Sequence, residues 1–223
     1  MKNMRLIGLV VAAISPWFIK KKILKYFFDY KFHEKSRIGF SFVDVDSLIM
    51  HEGSSVGSFT IIRNLHKLEL GKRSKIGTFN WIFGMRESNK SFSLEVNRLS
   101  ALIIGEHSAI TSRHLIDCID AVEIGAFTTI AGFRTQILTH SIDLSLNRQS
   151  CAPVKIGSYC FVGTGAIILK GISIPDKCVV AAGSVVSKSI LSEGFIYGGN
   201  PAGQIRAINS QDKYFSRNVG GVQ

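Results

Sequence analysis

Branched apolar residues recur at every sixth position between residues 156 and 186. They are Ile156, Val162, Ile168, Ile174, Val180 and Val186, and the fifth positions of the same blocks hold Cys160, Ala166, Ile172, Cys178 and Ser184. A six-residue period fits neither an α-helix nor an ordinary strand, whose side chains repeat every 3.6 and 2 residues. It is typical of a solenoid in which each block forms one short strand and three blocks close one coil of a parallel β-helix. The branched residue then points into the narrow core, and the mostly small fifth residue fits where the wall turns.

The same pattern extends, less regularly, back to residue 38. Pairs of a branched residue or leucine followed by glycine, such as Ile76-Gly77 and Ile104-Gly105, mark further corners. We therefore predict an all-β solenoid over residues 38–188, with about six or seven coils. Two segments lack the repeat, residues 86–101 and 141–153, and we expect both to be loops, where the specificity of a rigid solenoid usually resides.

Residues 1–37 form a separate basic segment. The formal net charge is +11, and these residues hold nine Lys or Arg against two acidic residues, which gives 9 − 2 = +7. After Pro16 the apolar residues follow helical spacing while lysines fill the other faces, which predicts a basic amphipathic helix. We favour a membrane-surface anchor in residues 1–30, because anionic lipid attracts clustered lysines. A cap over the open end of the solenoid and a secretory signal are the alternatives.

The composition argues against several other classes. The repeats lack the basic face with interleaved aromatics that nucleic-acid binding requires. The four cysteines, at positions 118, 151, 160 and 178, have no metal-like spacing with histidine, so we expect no metal and predict reduced thiols, buried at Cys160 and Cys178. Residues 189–223 form an extension in which Tyr197–Gly203 is rich in turn formers and residues 204–215 have modest helical potential, so we expect a short C-terminal helix.

The repeats, the run from Val180 to Lys188 and the sequence Gly199-Asn200-Pro201-Ala202 resemble the hexapeptide-repeat acyltransferases. Leu138-Thr139-His140-Ser141 followed by a long loop is similar to the sugar O-acetyltransferase branch, which includes maltose and galactoside acetyltransferases and enzymes of capsule and colanic acid synthesis. The resemblance implies a left-handed parallel β-helix, a homotrimer, and acetyl-CoA as co-substrate in the clefts between subunits.

His140 is our candidate catalytic base. A thioester is already activated, so a base of near-neutral pKa suffices to take the proton of an attacking hydroxyl, and backbone N–H groups could stabilise the oxyanion. His140 lies where the repeat gives way to the long loop. A hydrogen-bonded corner histidine is the structural alternative.

The other site residues are assigned more weakly. His114 and Asn80 occupy fifth positions, where a small residue is expected, and with the loop residues Asp143, Arg148 and Gln149 they are our candidates for acceptor binding. For coenzyme A the resemblance points to these residues, with Lys188 and Arg206 as phosphate partners: Gly163, Thr164, Ala182, Gly183, Lys188, Asn200, Pro201, Ala202 and Arg206.

The sequence thus predicts a cytoplasmic acetyl-CoA-dependent O-acetyltransferase of a sugar, peripheral to the inner face of the plasma membrane and acting in cell-surface polysaccharide synthesis, with a sugar or lipid-linked sugar as acceptor. An amino-sugar N-acetyltransferase and a non-catalytic scaffold remain as alternatives. A zinc hydratase on the same prism needs three converging histidines, and no third partner accompanies His114 and His140.

Overall fold

The structure is a computed structural model that describes residues 2–86, 92, 97–209 and 211–221. Parallel strands form three walls around a narrow core. Wall I consists of β2 Arg37–Ile38, β4 Ser55–Val56, β6 Lys75–Ile76, β9 Ala109–Ile110, β12 Thr129–Ile130, β17 Phe161–Val162, β20 Val179–Val180 and β22 Phe195–Gly199. Each strand pairs in parallel with the strand of the same wall in the next coil.

Walls II and III belong to one sheet, because two long strands, β3 Phe42–Met50 and β5 Ile61–Leu70, turn the corner between them. Wall II continues through β7 Trp81–Gly84, β10 Leu115–Cys118, β13 Gln136–Ile137, β18 Ile167–Ile168 and β21 Val185–Val186. Wall III contains β1 Lys31–Phe32, β8 Ala101–Ile104, β11 Val122–Ile124, β16 Val154–Ile156 and β19 Ser173–Ile174.

The core confirms the inward column that the repeat predicts. All six branched residues from Ile156 to Val186 are at most 3% exposed, and the fifth-position residues are buried with them. Coils approach so closely that a Cβ on Gly77 would lie 2.3 Å from the carbonyl oxygen of Thr111. Cys118, Cys160 and Cys178 are buried free thiols, as predicted for the last two, and burial raises the pKa of Cys160 to about 12.

The N-terminal segment forms two antiparallel helices, α1 Lys2–Ile14 and α2 Trp17–Phe28, of which α2 is the predicted basic helix. Together they close the first coil. Leu9 and Leu24 join the core, and the Lys20 ammonium donates hydrogen bonds to the carbonyls of Ala13 and Gly39. The cap that we considered as an alternative is therefore present. Neither helix in the described part of the chain is long and apolar enough to cross a bilayer.

The structure also bears on the two predicted loops and on the predicted C-terminal helix. Residues 141–153 form most of a β-hairpin, β14 His140–Asp143 with β15 Arg148–Cys151, whereas most of 86–101 lies outside the described residues. The C-terminal helix is wrong. Residues 202–207 form strand β23 Ala202–Ala207, antiparallel to β22, and only a 3₁₀ turn, Lys213–Ser216, follows. The strand forms because β22 leaves an open edge at the end of wall I, and ladder hydrogen bonds outweigh a modest helical propensity.

Candidate active site

His140 lies at the edge where wall II ends and the hairpin begins. Its Nδ1 atom makes a short contact with Oδ2 of Asp117, which belongs to strand β10 of the preceding coil. The imidazole is 31% exposed, whereas the carboxylate is fully buried. Since Nδ1 is bound to a carboxylate, the ring carries its proton there and leaves Nε2 as a free acceptor.

Asp117 is held by the backbone around it. Its Oδ1 accepts a hydrogen bond from the N–H of Ile119 at 2.8 Å, and its Oδ2 accepts those of Thr139 at 3.0 Å and His140 at 3.2 Å. These donors compensate for the burial of the charge. The Asp117 carboxylate raises the pKa of His140, against the lowering effects of burial and of the Lys170 ammonium. The site therefore contains a base whose proton affinity is increased.

Aromatic and basic side chains surround this pair. The Phe92 ring is buried and meets the His140 ring edge to face, with centroids 6.2 Å apart. The Arg98 guanidinium lies over Phe92 at 5.5 Å and donates a 2.9 Å hydrogen bond to the carbonyl of Ile119. Lys170, from the next coil, donates to the hydroxyl of Ser150 on the hairpin. These contacts fix the hairpin against the solenoid beside His140.

The hairpin divides the predicted acceptor residues between its two faces. His140 pairs with Cys151, Ile142 with Gln149, and Asp143 with Arg148. Because side chains alternate along a strand, Gln149 shares the face of His140, and Asp143 and Arg148 lie on the opposite face. Asp143 accepts the N–H groups of Ser145 and Leu146 and so stabilises the hairpin turn.

Gln149 also has an unused acceptor. Its Oε1 atom is buried, and no described residue donates to it. Of the three loop residues, Gln149 is the one that shares the hairpin face of His140.

The structure places Asn80 and His114 at the other edge of wall II, in a buried ladder. They are 1% and 2% exposed. The Oδ1 atom of Asn80 accepts the His114 N–H at 2.9 Å, and Nδ1 of His114 accepts the Thr135 N–H at 3.1 Å. Burial lowers the pKa of His114 to about 4, so the ring is neutral. Three residues of strand separate His114 from Asp117, a distance of about 10 Å, so these side chains do not meet His140 within one chain.

The predicted coenzyme residues cluster at that same edge, two coils further along. The Gly183 N–H donates to the Thr164 carbonyl at 2.9 Å, and a Cβ on Gly163 would lie 2.6 Å from the backbone nitrogen of Ala182. The turn Gly199-Asn200-Pro201-Ala202 joins β22 to β23 and packs on this corner through the N–H of Gly199, which donates to the Ser184 hydroxyl at 3.3 Å. Gly183 has φ +68°, and a Cβ there would meet no atom within 4 Å. The corner is therefore open at Gly183.

The two phosphate candidates lie apart. Arg206 is exposed on β23, where its guanidinium donates to the carbonyl of Ala207 at 3.2 Å. Lys188 is exposed just beyond β21, at the His140 edge of wall II. The register of Ile168 with Val186 places Lys170 beside Lys188.

The sequence interpretation missed Asp117 and Lys170. Strand β10 pairs with β13 at an offset of 21 residues, and His140 lies 23 residues after Asp117, two positions further along. A carboxylate next to the inward Ile116 was a sign of its role. Lys170 lies 18 residues before Lys188, one coil apart. Among the described residues no cluster of three or more His, Cys, Asp or Glu has metal-binding geometry.

Comparison with known proteins finds sequences that this chain resembles. Residues 153–188 match the model described as the hexapeptide repeat of succinyl-transferase. The chain is 24% identical to YvoF of Bacillus subtilis over 155 residues, which are 69% of this chain and 81% of YvoF. It is 36% identical to galactoside O-acetyltransferase of Escherichia coli over 63 residues, 28% of this chain and only 30% of that enzyme.

Solved structures of acyltransferases resemble this chain in fold. A hexapeptide-repeat acetyltransferase of Vibrio cholerae in complex with acetyl coenzyme A aligns with a TM-score of 0.51 and 26% identity, covering 63% of this chain and 71% of that chain. A maltose O-acetyltransferase of Clostridium difficile aligns with a TM-score of 0.52 and 26% identity over 63% and 70% of the two chains. AntD, an N-acyltransferase of Bacillus cereus, shares the fold at a TM-score of 0.59 and 17% identity over 89% and 94%. In its repeat, its three parallel walls and these matches, the chain is similar to the hexapeptide-repeat acetyltransferases.

Proposed function

We propose that this protein transfers an acetyl group from acetyl-CoA to a hydroxyl of a sugar. The observation that carries the proposal is the Asp117–His140 pair at the edge of wall II, beside a hairpin with an unpaired buried acceptor, Gln149 Oε1. A half-exposed imidazole whose inner nitrogen is bound to a buried carboxylate is arranged as a general base.

The chemistry needs little more than this base. Nε2 of His140 takes the proton of the acceptor hydroxyl while its oxygen attacks the carbonyl carbon of the thioester. Asp117 stabilises the resulting imidazolium without being protonated itself. The C–S bond then breaks, and the proton on Nε2 returns to the departing thiolate. Backbone N–H groups at a glycine-rich corner stabilise the oxyanion in between.

Coenzyme A is assigned to the corner of Gly163, Thr164, Ala182 and Gly183, with the Asn200-Pro201-Ala202 turn beside it. The acetyl-CoA complex of the Vibrio cholerae relative supports this co-substrate. The open face at Gly183 suits a long, thin ligand. Lys188 and Arg206 remain our candidates for its phosphates.

The assigned coenzyme corner and His140 lie at opposite edges of wall II. We propose a left-handed homotrimer of six or seven coils, in which a neighbouring subunit brings its corner to this His140. Wall II suits a subunit contact because Ile61 and Trp81 face outward and are 44% and 57% exposed. In such a cleft Asn80 and His114 would support the partner's side of the acceptor site.

For the acceptor, the galactoside and maltose enzymes among the relatives support a sugar hydroxyl. We assign the protein to cell-surface polysaccharide synthesis on the cytoplasmic side, with a sugar or lipid-linked sugar as acceptor. Residues 1–37, 38–188 and 189–223 are then the membrane-proximal segment, the catalytic solenoid and the coenzyme-side extension.

The test is calorimetric titration of acetyl-CoA into wild type, His140→Ala and the exposed-site control His33→Ala, followed by transfer assays on panels of neutral sugars and amino sugars. We expect all three to bind acetyl-CoA, and only His140→Ala to lose transfer to hydroxyls, by at least a hundredfold. Transfer to amino sugars alone would make the protein an N-acetyltransferase. Absence of acetyl-CoA binding would leave a non-catalytic scaffold.

A further inference from the structure

The outward side of α1 is apolar among the side chains that the structure describes. Six large apolar side chains occupy it, and each is between 46% and 78% exposed: Met4, Leu6, Ile7, Val10, Val11 and Ile14. At 100° per residue these positions cover one continuous arc of about 160°. The opposite arc, which contains Leu9 and Ala12, is buried against α2 and β3. A large exposed apolar surface of this kind marks a contact with lipid or protein, and no described residue covers the outward side of α1.

Positive charge and aromatic rings lie next to this surface on α2. Lys22 and Lys25 are exposed, together with Phe18, Tyr26 and Phe27 at 69%, 76% and 80%. The Lys25 ammonium lies 6.0 Å from the Tyr26 ring. The α1 cation Arg5 is used internally, in a 3.2 Å ion pair with Asp44. The hairpin therefore presents an apolar helix flanked by lysines and interfacial aromatics.

We propose that the α1–α2 hairpin docks on an anionic lipid surface, with the six outward residues of α1 inserted among the acyl chains and Lys22 and Lys25 on the headgroups. This assigns insertion to α1 rather than to the basic helix, because the buried face of α2 already packs on the solenoid. A helix of 13 residues is about 20 Å long, which suits a helix lying in the plane of the interface. The hairpin then has two functions, a cap on its inner side and a lipid contact on its outer side.

Charge complementarity favours lipid over a second copy of this chain. Anionic headgroups offset the exposed lysines, whereas a second hairpin would bring further lysines to them. The lipid contact is independent of the proposed transfer reaction, so each can fail without the other.

The experiment is co-sedimentation of the full-length protein with vesicles of phosphatidylcholine alone or with 30% phosphatidylglycerol. We expect binding that is at least tenfold stronger to the anionic vesicles. Ile7→Gln/Val11→Gln should weaken that binding at least tenfold, and Lys22→Gln/Lys25→Gln about 25-fold, roughly fivefold per lysine. Matched controls at the other end of the solenoid, Leu191→Gln/Ile205→Gln and Lys177→Gln/Lys213→Gln, should bind like wild type.

The molar mass of each variant is also measured by light scattering, and its transfer activity is measured with a soluble acceptor. Unchanged mass and activity alongside lost vesicle binding support the lipid contact. If wild type stays in solution with both vesicles, the proposal is wrong. It is equally wrong if the α1 variant changes the oligomeric mass while vesicle binding persists, since α1 is then a subunit contact.

Discussion

Asp117 reaches His140 from the neighbouring coil, and this carboxylate sets both the orientation and the proton affinity of the imidazole. Its three backbone hydrogen bonds fix it in place, so the pair is rigid before any substrate arrives. A preorganised base costs no rearrangement in the transition state. Asp117 is therefore the residue whose removal tests the mechanism most directly.

We predict that Asp117→Asn lowers kcat at least a hundredfold, because an amide can donate to Nδ1 and favour the wrong tautomer. The base is active when neutral, so activity rises with pH through the pKa of His140. Since Asp117 raises that pKa, the acid limb of kcat/KM for the residual activity should move to lower pH. The measurement is a pH profile of both enzymes.

Asp120→Asn is the control, since Asp120 lies in the same corner and accepts the N–H groups of Ala121 and Leu99 rather than a bond from His140. A purely structural Asp117 would lower the melting temperature and leave the acid limb where it is in wild type.

Two residues on opposite faces of the β14–β15 hairpin provide a variant and its control for a test of acceptor binding. Gln149→Leu should raise KM for the acceptor about tenfold with little change in kcat, because it removes a polar side chain on the hairpin face that His140 shares. Arg148→Ala, on the opposite face, should leave both constants within twofold of wild type. Equal effects in the two variants would contradict the assignment of faces.

At the scale of elements, the corner between walls I and II holds a buried polar ladder. Thr60, Asn80, Thr111 and His114 connect successive coils through hydrogen bonds of 2.8 to 3.2 Å. Burying these polar groups is tolerated only while each is hydrogen-bonded and neutral. Protonation of His114 would put a charge into the ladder and so destabilise the stacking of the coils.

We predict that His114 makes the protein acid-sensitive. Its folded pKa of about 4 lies below the ordinary value of 6.5, so the unfolded chain binds the proton first. Stability is fully present above about pH 6.5 and falls towards pH 4, by up to roughly 3 kcal/mol. Urea unfolding at several pH values should show a steeper loss in wild type than in His114→Gln, with His33→Gln as the exposed control. Parallel curves for all three proteins would show that His114 does not titrate in this way.

At the scale of the molecule, two apolar surfaces remain on the single chain, the outward half of α1 and wall II around Ile61 and Trp81. Large exposed patches of this kind mark contacts with lipid or protein. We assign the first to lipid and the second to a neighbouring subunit. Because the proposed coenzyme corner and His140 lie at opposite edges of wall II, our proposal requires a neighbouring subunit to complete the active site.

We therefore predict that Trp81→Glu prevents assembly of the proposed trimer and lowers transfer at least a hundredfold, because a charge in an apolar subunit contact stays unpaired. Light scattering and activity are measured together, with Leu191→Glu as control at a side chain that is 92% exposed. A trimer that survives Trp81→Glu places the contact elsewhere.

The sequence alone determined the solenoid, its inward column, the corner positions and the basic helix, and it singled out His140, whose role as the base stays a prediction. These are local or periodic properties: a six-residue period needs no knowledge of distant contacts. It did not determine the secondary structure of residues 202–207. These residues form a strand on the open edge of β22, against their local helical propensity.

Only the tertiary structure decided which residues accompany His140. Asp117 and Lys170 arrive from adjacent coils, and corner insertions of uneven length separate them from His140 in the sequence. Stacking of the coils also places Asn80 and His114 at the edge of wall II opposite His140. Alternation along the hairpin strands places Gln149 on a different face from Asp143 and Arg148. A repeat specifies where each coil turns, but the register between coils, which sets the side chains that meet, is established only when the walls pack.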